Sequence, residues 1–216
     1  MNKEREPRLI QRYTTSQRIN HWIIAITFVM LALSGLALFH PAFYWLTNLF
    51  GGGVWTRILH PFVGVLMFVC FAIFIVRLFR HNLFARRDAE WLKHIGDMLE
   101  NREENLPEAG RYNAGQKLLF FALIFLMLGL LLTGLVMWRS YFSGFFPIWG
   151  IRLASLLHAL FAFLMICAII VHIYAGIWVK GSVRAMTRGT VTPGWAWKHH
   201  RAWLRQLRGG TPDKRG

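Results

Sequence analysis

The chain has 216 residues, 55% of them hydrophobic, and carries 25 Lys and Arg against 10 Asp and Glu, a formal net charge of +15. A basic balance is also typical of nucleic-acid-binding proteins, but here the cations alternate with four apolar runs, each long enough for a hydrocarbon core that takes about 20 residues to cross. We therefore predict an all-α fold, an integral membrane four-helix bundle that binds lipid and no nucleic acid.

The four predicted spans alternate with polar segments along the chain. They cover residues 19–39, 56–79, 116–138 and 152–179. We expect the first span to be a retained helix rather than a signal peptide, because its apolar part is longer than a typical signal and no clear small-x-small cleavage site follows it. Residues 1–216 are predicted to form a single membrane domain.

The basic residues are strongly partitioned between the connections. Five lie in residues 1–18, eight in 77–117 and nine in 180–215. Because Lys and Arg collect on the cytoplasmic side of membrane proteins, both termini, the segment 80–115 and the tail 180–216 are predicted to be cytoplasmic. The other two connections then face the periplasm of a multi-pass protein in the bacterial inner membrane.

Three polar segments carry local structural signals. The stretch "TTSQR" (14–18) offers capping residues for the first span. In "DAEWLKHIGDMLENREE" (88–104), apolar residues at helical spacing predict an amphipathic cytoplasmic helix. The tail "PGWAWKHHRAWLRQLR" (193–208) mixes Trp with cations, which predicts a helix resting on the lipid headgroups.

The positions of the acidic residues and cysteines argue against several classes of membrane protein. All ten acidic residues lie outside the predicted spans. Pumps and ion-coupled transporters commonly carry an intramembrane carboxylate, so its absence counts against those classes. No C-x-x-C-H motif is present, which argues against a covalently attached c-type haem.

Four histidines lie near the ends of spans, at His21, His60, His158 and His172. Since consecutive spans run in opposite directions, His60 and His158 share the periplasmic depth, and His21 and His172 the cytoplasmic depth. His158 and His172 are fourteen residues apart, which is about 21 Å and nearly four helical turns. They therefore point to the same side of the fourth span, yet they cannot bind one metal together.

Two imidazoles from facing helices in an apolar bundle suit the axial positions of haem b. Zinc takes three or four protein ligands and non-haem iron a carboxylate, and neither set is present at these depths. The spacing predicts two haem b groups, against the alternative of scattered interfacial histidines. His40 competes with His60 because both precede proline, but His40 lies at the very end of the first span.

Four motifs, "RINHWIIAITFVMLALSG", "TRILHPFVGVLMF", "GRYNAGQK" and "SLLHALFAFLMICAIIVHIYAGIWVKGSVRAM", occur in this order. They resemble the gamma subunit family, the cytochrome b556 subunits, of membrane-bound respiratory formate dehydrogenase, from about residue 12 to 200. The resemblance implies that His60 and His158 hold a periplasmic haem and that His21 and His172 hold a cytoplasmic one. It also implies a menaquinone site beside the cytoplasmic haem, at Asn113, Gly115 and Gln116 with His172 adjacent.

The same resemblance implies a function in electron transport during anaerobic respiration. Electrons from a catalytic alpha subunit and an iron–sulfur beta subunit outside would cross the membrane to menaquinone at the cytoplasmic side, so the chain would not be an enzyme by itself. One alternative is the cytochrome b subunit of a hydrogenase or another periplasmic reductase. Another, of a different class, is a haem-free membrane anchor.

Several polar residues have roles that the sequence leaves open. Arg57 lies three residues before His60, and Arg152 six before His158. We expect one of these arginines to meet a periplasmic haem propionate, the alternative being a solvated flanking cation. In "YNAGQK", Asn113 and Gln116 can hydrogen-bond a quinone carbonyl, although ordinary turn chemistry at the start of a helix explains the same residues.

Overall fold

The computed structural model of the chain describes residues 9–100, 102 and 106–209. Their regular elements, in chain order, are β1 (Ile10–Gln11), α1 (Thr15–Phe39), α2 (Gly53–Leu78), α3 (Arg86–Lys93), α4 (Ile95–Leu99), α5 (Ala114–Met137), α6 (Ile148–Trp178), α7 (Ser182–Arg188), β2 (Thr190–Val191), α8 (Pro193–His199) and α9 (Arg201–Leu207). Short 3-10 helices cover Pro41–Phe50, Phe79–His81 and Ser143–Phe145.

Within the described residues, four helices are long and apolar enough to cross a membrane, and they confirm the predicted all-α membrane architecture. These are α1, α2, α5 and α6, and their bounds differ from the predicted spans by a few residues. The largest differences are at the starts of α1 and α6, each four residues earlier than predicted. Helix α1 begins early because the Thr14 side chain accepts the Gln17 N–H at 3.3 Å and the Gln17 side chain accepts the Thr14 N–H at 2.9 Å. This reciprocal cap lies before the apolar run.

Residues 19–76 and 122–173 form one compact unit, here called the bundle unit. Its core is a cluster of large apolar side chains from α2, α5 and α6, namely Met67, Phe71, Leu126, Met127 and Met165. Residues of α1 pack against this cluster. Helices α5 and α6 approach closely at Gly129, where an added Cβ would lie 2.6 Å from the Phe161 ring. Small residues at helix contacts are typical of membrane bundles, because they let backbones pack closely.

The described residues up to Arg18, together with those of 77–121 and from 174 onwards, form a second compact unit, here called the polar unit. Strands β1 and β2 pair antiparallel in it, with Ile10 opposite Val191 and Gln11 opposite Thr190. Its apolar cluster comprises Ala185, Val191, Ala196, Trp203 and Leu204. The pairing of two-residue strands ties the start of the described chain to the segment after α6, which the sequence did not indicate.

Two predicted amphipathic helices are each divided in the structure. The segment 88–104 contains most of α3 and all of α4, which meet at His94; residues 101, 103 and 104 of that prediction lie outside the described residues. The tail contains α8 and α9, interrupted at His200. Between the two helices, the His200 ring is hydrogen-bonded to the Gly110 carbonyl, with Nδ1 2.8 Å from the oxygen. A long-range hydrogen bond of this kind is invisible in the helical periodicity of the tail.

Candidate functional site

The bundle unit brings the four predicted histidines together as two pairs. The ring centroids of His60, on α2, and His158, on α6, are 6.3 Å apart. Those of His21, on α1, and His172, also on α6, are likewise 6.3 Å apart. Helix α6 therefore supplies one imidazole to each pair. The same partners were matched by depth in the sequence.

The spacing within each pair would allow both imidazoles to hold one metal ion. Two imidazole nitrogens that each bind a metal at about 2.0–2.1 Å place their ring centroids roughly 6.3 Å apart. In the described part of the chain, no group of three or more His, Cys, Asp or Glu side chains is placed to hold a metal ion. The donor set at each pair is thus two imidazoles on membrane helices, a set that could hold haem b.

The His60–His158 pair is further oriented by two hydroxyl groups. Ser34 Oγ on α1 lies 2.7 Å from His60 Nδ1, and Thr133 Oγ1 on α5 lies 2.9 Å from His158 Nδ1. Each hydroxyl also donates to its own helix, Ser34 to the Met30 carbonyl at 2.7 Å and Thr133 to a carbonyl one turn earlier at 2.6 Å. When each hydroxyl donates its hydrogen to the main chain, its oxygen is free to accept the Nδ1–H of the histidine. In this tautomer Nε2 of both rings is unprotonated, which is the form of imidazole that can bind a metal.

A glycine follows each of these hydroxyl residues and lies against the same ring. An added Cβ at Gly35 would lie 3.5 Å from His60 Cε1, and one at Gly134 would lie 3.4 Å from His158 Cε1. The sequences are "LSGL" and "LTGL". We missed Ser34 and Thr133 in the sequence, although this repeated motif near the ends of the first and third spans was a visible signal.

The His21–His172 pair has a different environment. Nδ1 of His21 is buried and has no hydrogen-bond partner among the described residues. The His21 ring is instead bordered by aromatic rings, with centroids 5.6 Å from Trp22 and 6.2 Å from Phe74. His172 is exposed, whereas the other three histidines are half-buried. The two pairs therefore share ring spacing but differ in hydrogen bonding.

His40, the competitor of His60, has a local structural role. Its Nδ1 accepts the Ala42 N–H at 3.2 Å and caps the 3-10 helix Pro41–Phe50. Arg57 on α2 and Arg152 on α6 are both exposed. A role for either arginine at a haem propionate stays a prediction.

The predicted quinone residues lie at the start of α5, in the polar unit. The Asn113 Oδ1 accepts the Gln116 N–H at 2.9 Å, and the Gln116 Oε1 accepts the Asn113 N–H at 3.0 Å. This reciprocal cap occupies both side-chain oxygens, so the amide NH₂ groups are the donors that these side chains can offer to a ligand. At Gly115 the neighbouring ring is that of Trp91, whose Cη2 would lie 3.3 Å from an added Cβ.

The same segment is held by a buried ion pair. Lys117 Nζ lies 2.7 Å from Asp88 Oδ2 and donates to the Leu83 carbonyl at 2.9 Å. The two side chains are only 7% and 5% exposed. Asp88 also accepts the Ala85 N–H at 2.6 Å, which caps α3. Helix α3 and the start of α5 are therefore fixed to each other by fully partnered charges.

An arginine fixes the residues just before this segment. Arg12 is 3% exposed and lies over the rings of Trp203 and Tyr112, at 4.4 and 5.2 Å. It donates to the Arg111 carbonyl, and Arg111 donates back to the Arg12 carbonyl at 2.8 Å. Burial lowers the pKa of Arg12 and raises that of Tyr112. Burial and the charge of Arg12 lower the pKa of the nearby His200 to about 3, so this imidazole is neutral.

A bundle of four membrane helices with two facing histidine pairs is typical of membrane-bound b-type cytochromes. The chain belongs to the prokaryotic cytochrome b561 family, whose model matches residues 12–189. Haem binding and electron transport follow from this family, and the chain is a multi-pass bacterial membrane protein.

Comparison with characterised proteins gives relatives along nearly the whole chain. The formate dehydrogenase cytochrome b556(fdo) subunit of Escherichia coli strain K12 is 47% identical over 205 residues, covering 95% of this chain and 96% of the relative. The formate dehydrogenase cytochrome b556 subunit of Haemophilus influenzae is 43% identical, covering 91% and 83%. The nitrate-inducible cytochrome b556(Fdn) subunit of E. coli K12 is 40% identical, covering 93% and 92%. The resemblance inferred from the four motifs is therefore confirmed. These relatives are electron-transfer subunits rather than catalytic ones.

Proposed function

We propose that the chain is the di-haem cytochrome b subunit of a formate dehydrogenase and passes electrons to menaquinone. The observation that carries the proposal is the presence of two histidine pairs, each with ring centroids 6.3 Å apart. Helix α6 supplies one histidine to each pair. The names of relatives that are 47%, 43% and 40% identical favour formate dehydrogenase over a hydrogenase or another reductase.

In this proposal the four histidines bind two haem b groups, His60 with His158 on the periplasmic side and His21 with His172 on the cytoplasmic side. When bound, the haems supply one-electron transfer between a periplasmic iron–sulfur beta subunit, which serves the catalytic alpha subunit, and menaquinone at the cytoplasmic side. The sidedness rests on the partition of Lys and Arg, which places both termini in the cytoplasm. Residues 1–216 act together as one membrane subunit.

The polar unit contributes the quinone-binding residues in this proposal. Asn113 and Gln116 donate their amide hydrogens to a quinone carbonyl, and the reciprocal cap of α5 holds both amides in fixed orientations. Gly115, which packs against Trp91, is the third residue of this site. Proton uptake occurs on the cytoplasmic side, so electron transfer inward to the quinone generates a membrane potential without a proton pump.

Arg57 or Arg152 partners a propionate of the periplasmic haem in this proposal. Both are exposed cations on the helices that carry His60 and His158. An exposed guanidinium has the reach to form a charge-assisted hydrogen bond with a carboxylate. An experimental structure with both guanidinium groups far from any propionate would contradict this assignment.

Replacing one histidine of each pair tests the cofactor assignment. His158→Ala should remove the periplasmic haem and leave the other, while His21→Ala should remove the cytoplasmic haem, as followed by the pyridine haemochrome content and the redox spectrum. His40→Ala is the matched control, because His40 caps a 3-10 helix instead, and it should keep both haems. Loss of the same haem in the His158 and His21 variants would refute the pairing.

The identity of the electron donor separates the remaining alternatives. Formate, supplied to membranes that contain the whole complex, should reduce the haems of this chain, whereas hydrogen should not. Reduction by hydrogen alone would favour a hydrogenase subunit. A purified chain without a haem absorption spectrum would favour a membrane anchor.

A further inference from the structure

The two hydroxyl groups beside the His60–His158 pair are arranged in the same way on different helices. Ser34 is 26 residues before His60, and Thr133 is 25 residues before His158. Each is followed by a glycine that lies against the same ring. Two helical hairpins, α1–α2 and α5–α6, thus present the same hydroxyl, glycine and imidazole in the same order. A chance contact would not recur with this spacing.

Each hydroxyl that donates to its own helix can act toward the histidine only as an acceptor. Ser34 donates its hydrogen to the Met30 carbonyl at 2.7 Å, and Thr133 donates to the Gly129 carbonyl at 2.6 Å. The histidine must therefore donate from Nδ1, and Nε2 keeps its lone pair for the iron. A hydrogen bond at the outer nitrogen of a metal-bound histidine fixes the tautomer and the ring orientation, and it makes the ligand more basic.

The other pair lacks this arrangement on at least one side. Nδ1 of His21 is buried without a hydrogen-bond partner in the described part of the chain. A more basic pair of ligands stabilises ferric iron relative to ferrous iron. The hydrogen bonds to His60 and His158 should therefore lower the reduction potential of a haem held by this pair.

We propose that Ser34 and Thr133 are positioning residues that hold the axial imidazoles of the His60–His158 haem as Nδ1–H tautomers and lower its reduction potential relative to the haem of the His21–His172 pair. The inference rests on the proposed di-haem function and adds a direction to it. This contribution stabilises the electron at the His21–His172 pair and so favours inward transfer.

Removing the hydroxyls one at a time tests this inference in the purified, haem-loaded complex. Ser34→Ala and Thr133→Val should each raise the midpoint potential of the His60–His158 haem, with the other haem unchanged. We expect the equilibrium distribution of one electron between the haems to change by between about twofold and tenfold, where tenfold corresponds to about 59 mV. An optical redox titration measures this shift. The low-spin electron paramagnetic resonance signal of the oxidised haem should move in the same variants.

A third intramembrane hydroxyl supplies the control. Thr27 Oγ1 on α1 donates to the Ile23 carbonyl at 2.7 Å, just as the Ser34 hydroxyl donates to its own helix. Among the described residues, Thr27 Oγ1 bonds only main-chain carbonyls. Thr27→Val should therefore leave both potentials unchanged. Thr133→Ser keeps an acceptor oxygen and should restore the potential that Thr133→Val alters.

The possible results distinguish the inference from the function on which it rests. A wild-type complex without two haems refutes the di-haem proposal before any variant is compared. Two retained haems with unchanged potentials in Ser34→Ala and Thr133→Val overturn the positioning role, as does an equal shift in Thr27→Val. Haem loss in Thr133→Val that Thr133→Ser reverses supports the positioning role.

Discussion

Asn113 has two roles in this account, binding the quinone and capping helix α5, and substitutions at this position can distinguish them. In the structure its oxygen caps α5, and only its NH₂ group is left to bind a quinone carbonyl. Asn113→Ala removes both functions, whereas Asn113→Ser supplies another oxygen that caps helices well and removes only the amide donor. The two variants should therefore agree in quinone binding and differ in stability.

The magnitudes follow from these contacts. Loss of one neutral hydrogen bond costs about 0.5–1.5 kcal/mol, which is between about twofold and tenfold in affinity. Both Asn113 variants should weaken menaquinone binding by this factor. Loss of an N-cap to alanine costs about 0.5–2 kcal/mol, so only Asn113→Ala should lower the thermal stability of the chain measurably.

The assay is the reoxidation of pre-reduced haems at increasing menaquinone concentration, with thermal unfolding in detergent measured in parallel. Reduction by the donor subunits should be normal in both variants, because the histidine pairs are untouched. Unchanged quinone dependence in both variants would refute a donor role for Asn113. A defect confined to Asn113→Ala would show that the cap, and not the amide, supports the site.

Three further predictions concern stability. Lys117→Met leaves the Asp88 carboxylate buried without its cation, so the free energy of unfolding in detergent should fall by about 3–5 kcal/mol; a loss below about 1 kcal/mol would contradict a tight buried pair. Burial lowers the pKa of His200 from 6.5 to about 3, so the unfolded chain takes up the proton first as the pH falls. The free energy of unfolding should therefore decline between these pH values by roughly 1.4 kcal/mol per pH unit. His200→Asn, which keeps a hydrogen-bond donor, should flatten this decline. An unchanged slope would show that another group causes the pH dependence. Gly129→Ala places a Cβ 2.6 Å from a phenylalanine ring and should destabilise by about 1–3 kcal/mol, whereas Gly64→Ala, with its nearest neighbour at 3.9 Å, should be nearly neutral; equal effects would contradict close packing at Gly129.

The spans and the histidine pairs were predictable because their signals are local. A long apolar run identifies a membrane helix by itself, and the fourteen-residue spacing of His158 and His172 fixes their faces without any knowledge of neighbouring helices. Alternating span directions then assign each remaining histidine to a partner. The bundle unit brings together the pairs expected from these rules.

Contacts that depend on register between distant helices were not predictable in the same way. Ser34 meets His60 only because α1 and α2 pack at one particular offset, and a lone serine in an apolar helix is more often bonded to its own backbone. The division of the tail at His200 likewise depends on Gly110, which is 90 residues away. Asn113 and Gln116 were predicted to bind a quinone carbonyl, with turn chemistry at a helix start as the alternative, but their mutual cap became visible only in the folded chain.

The haem content of the purified wild-type chain tests the central claim most directly. Pyridine haemochrome analysis, combined with a protein determination and the low-spin signals of the oxidised sample, counts the haems and reports their ligation. Two low-spin b haems per chain are predicted, one for each histidine pair. A ratio near one, or a high-spin signal from a haem with a missing axial ligand, would contradict the assignment of all four histidines.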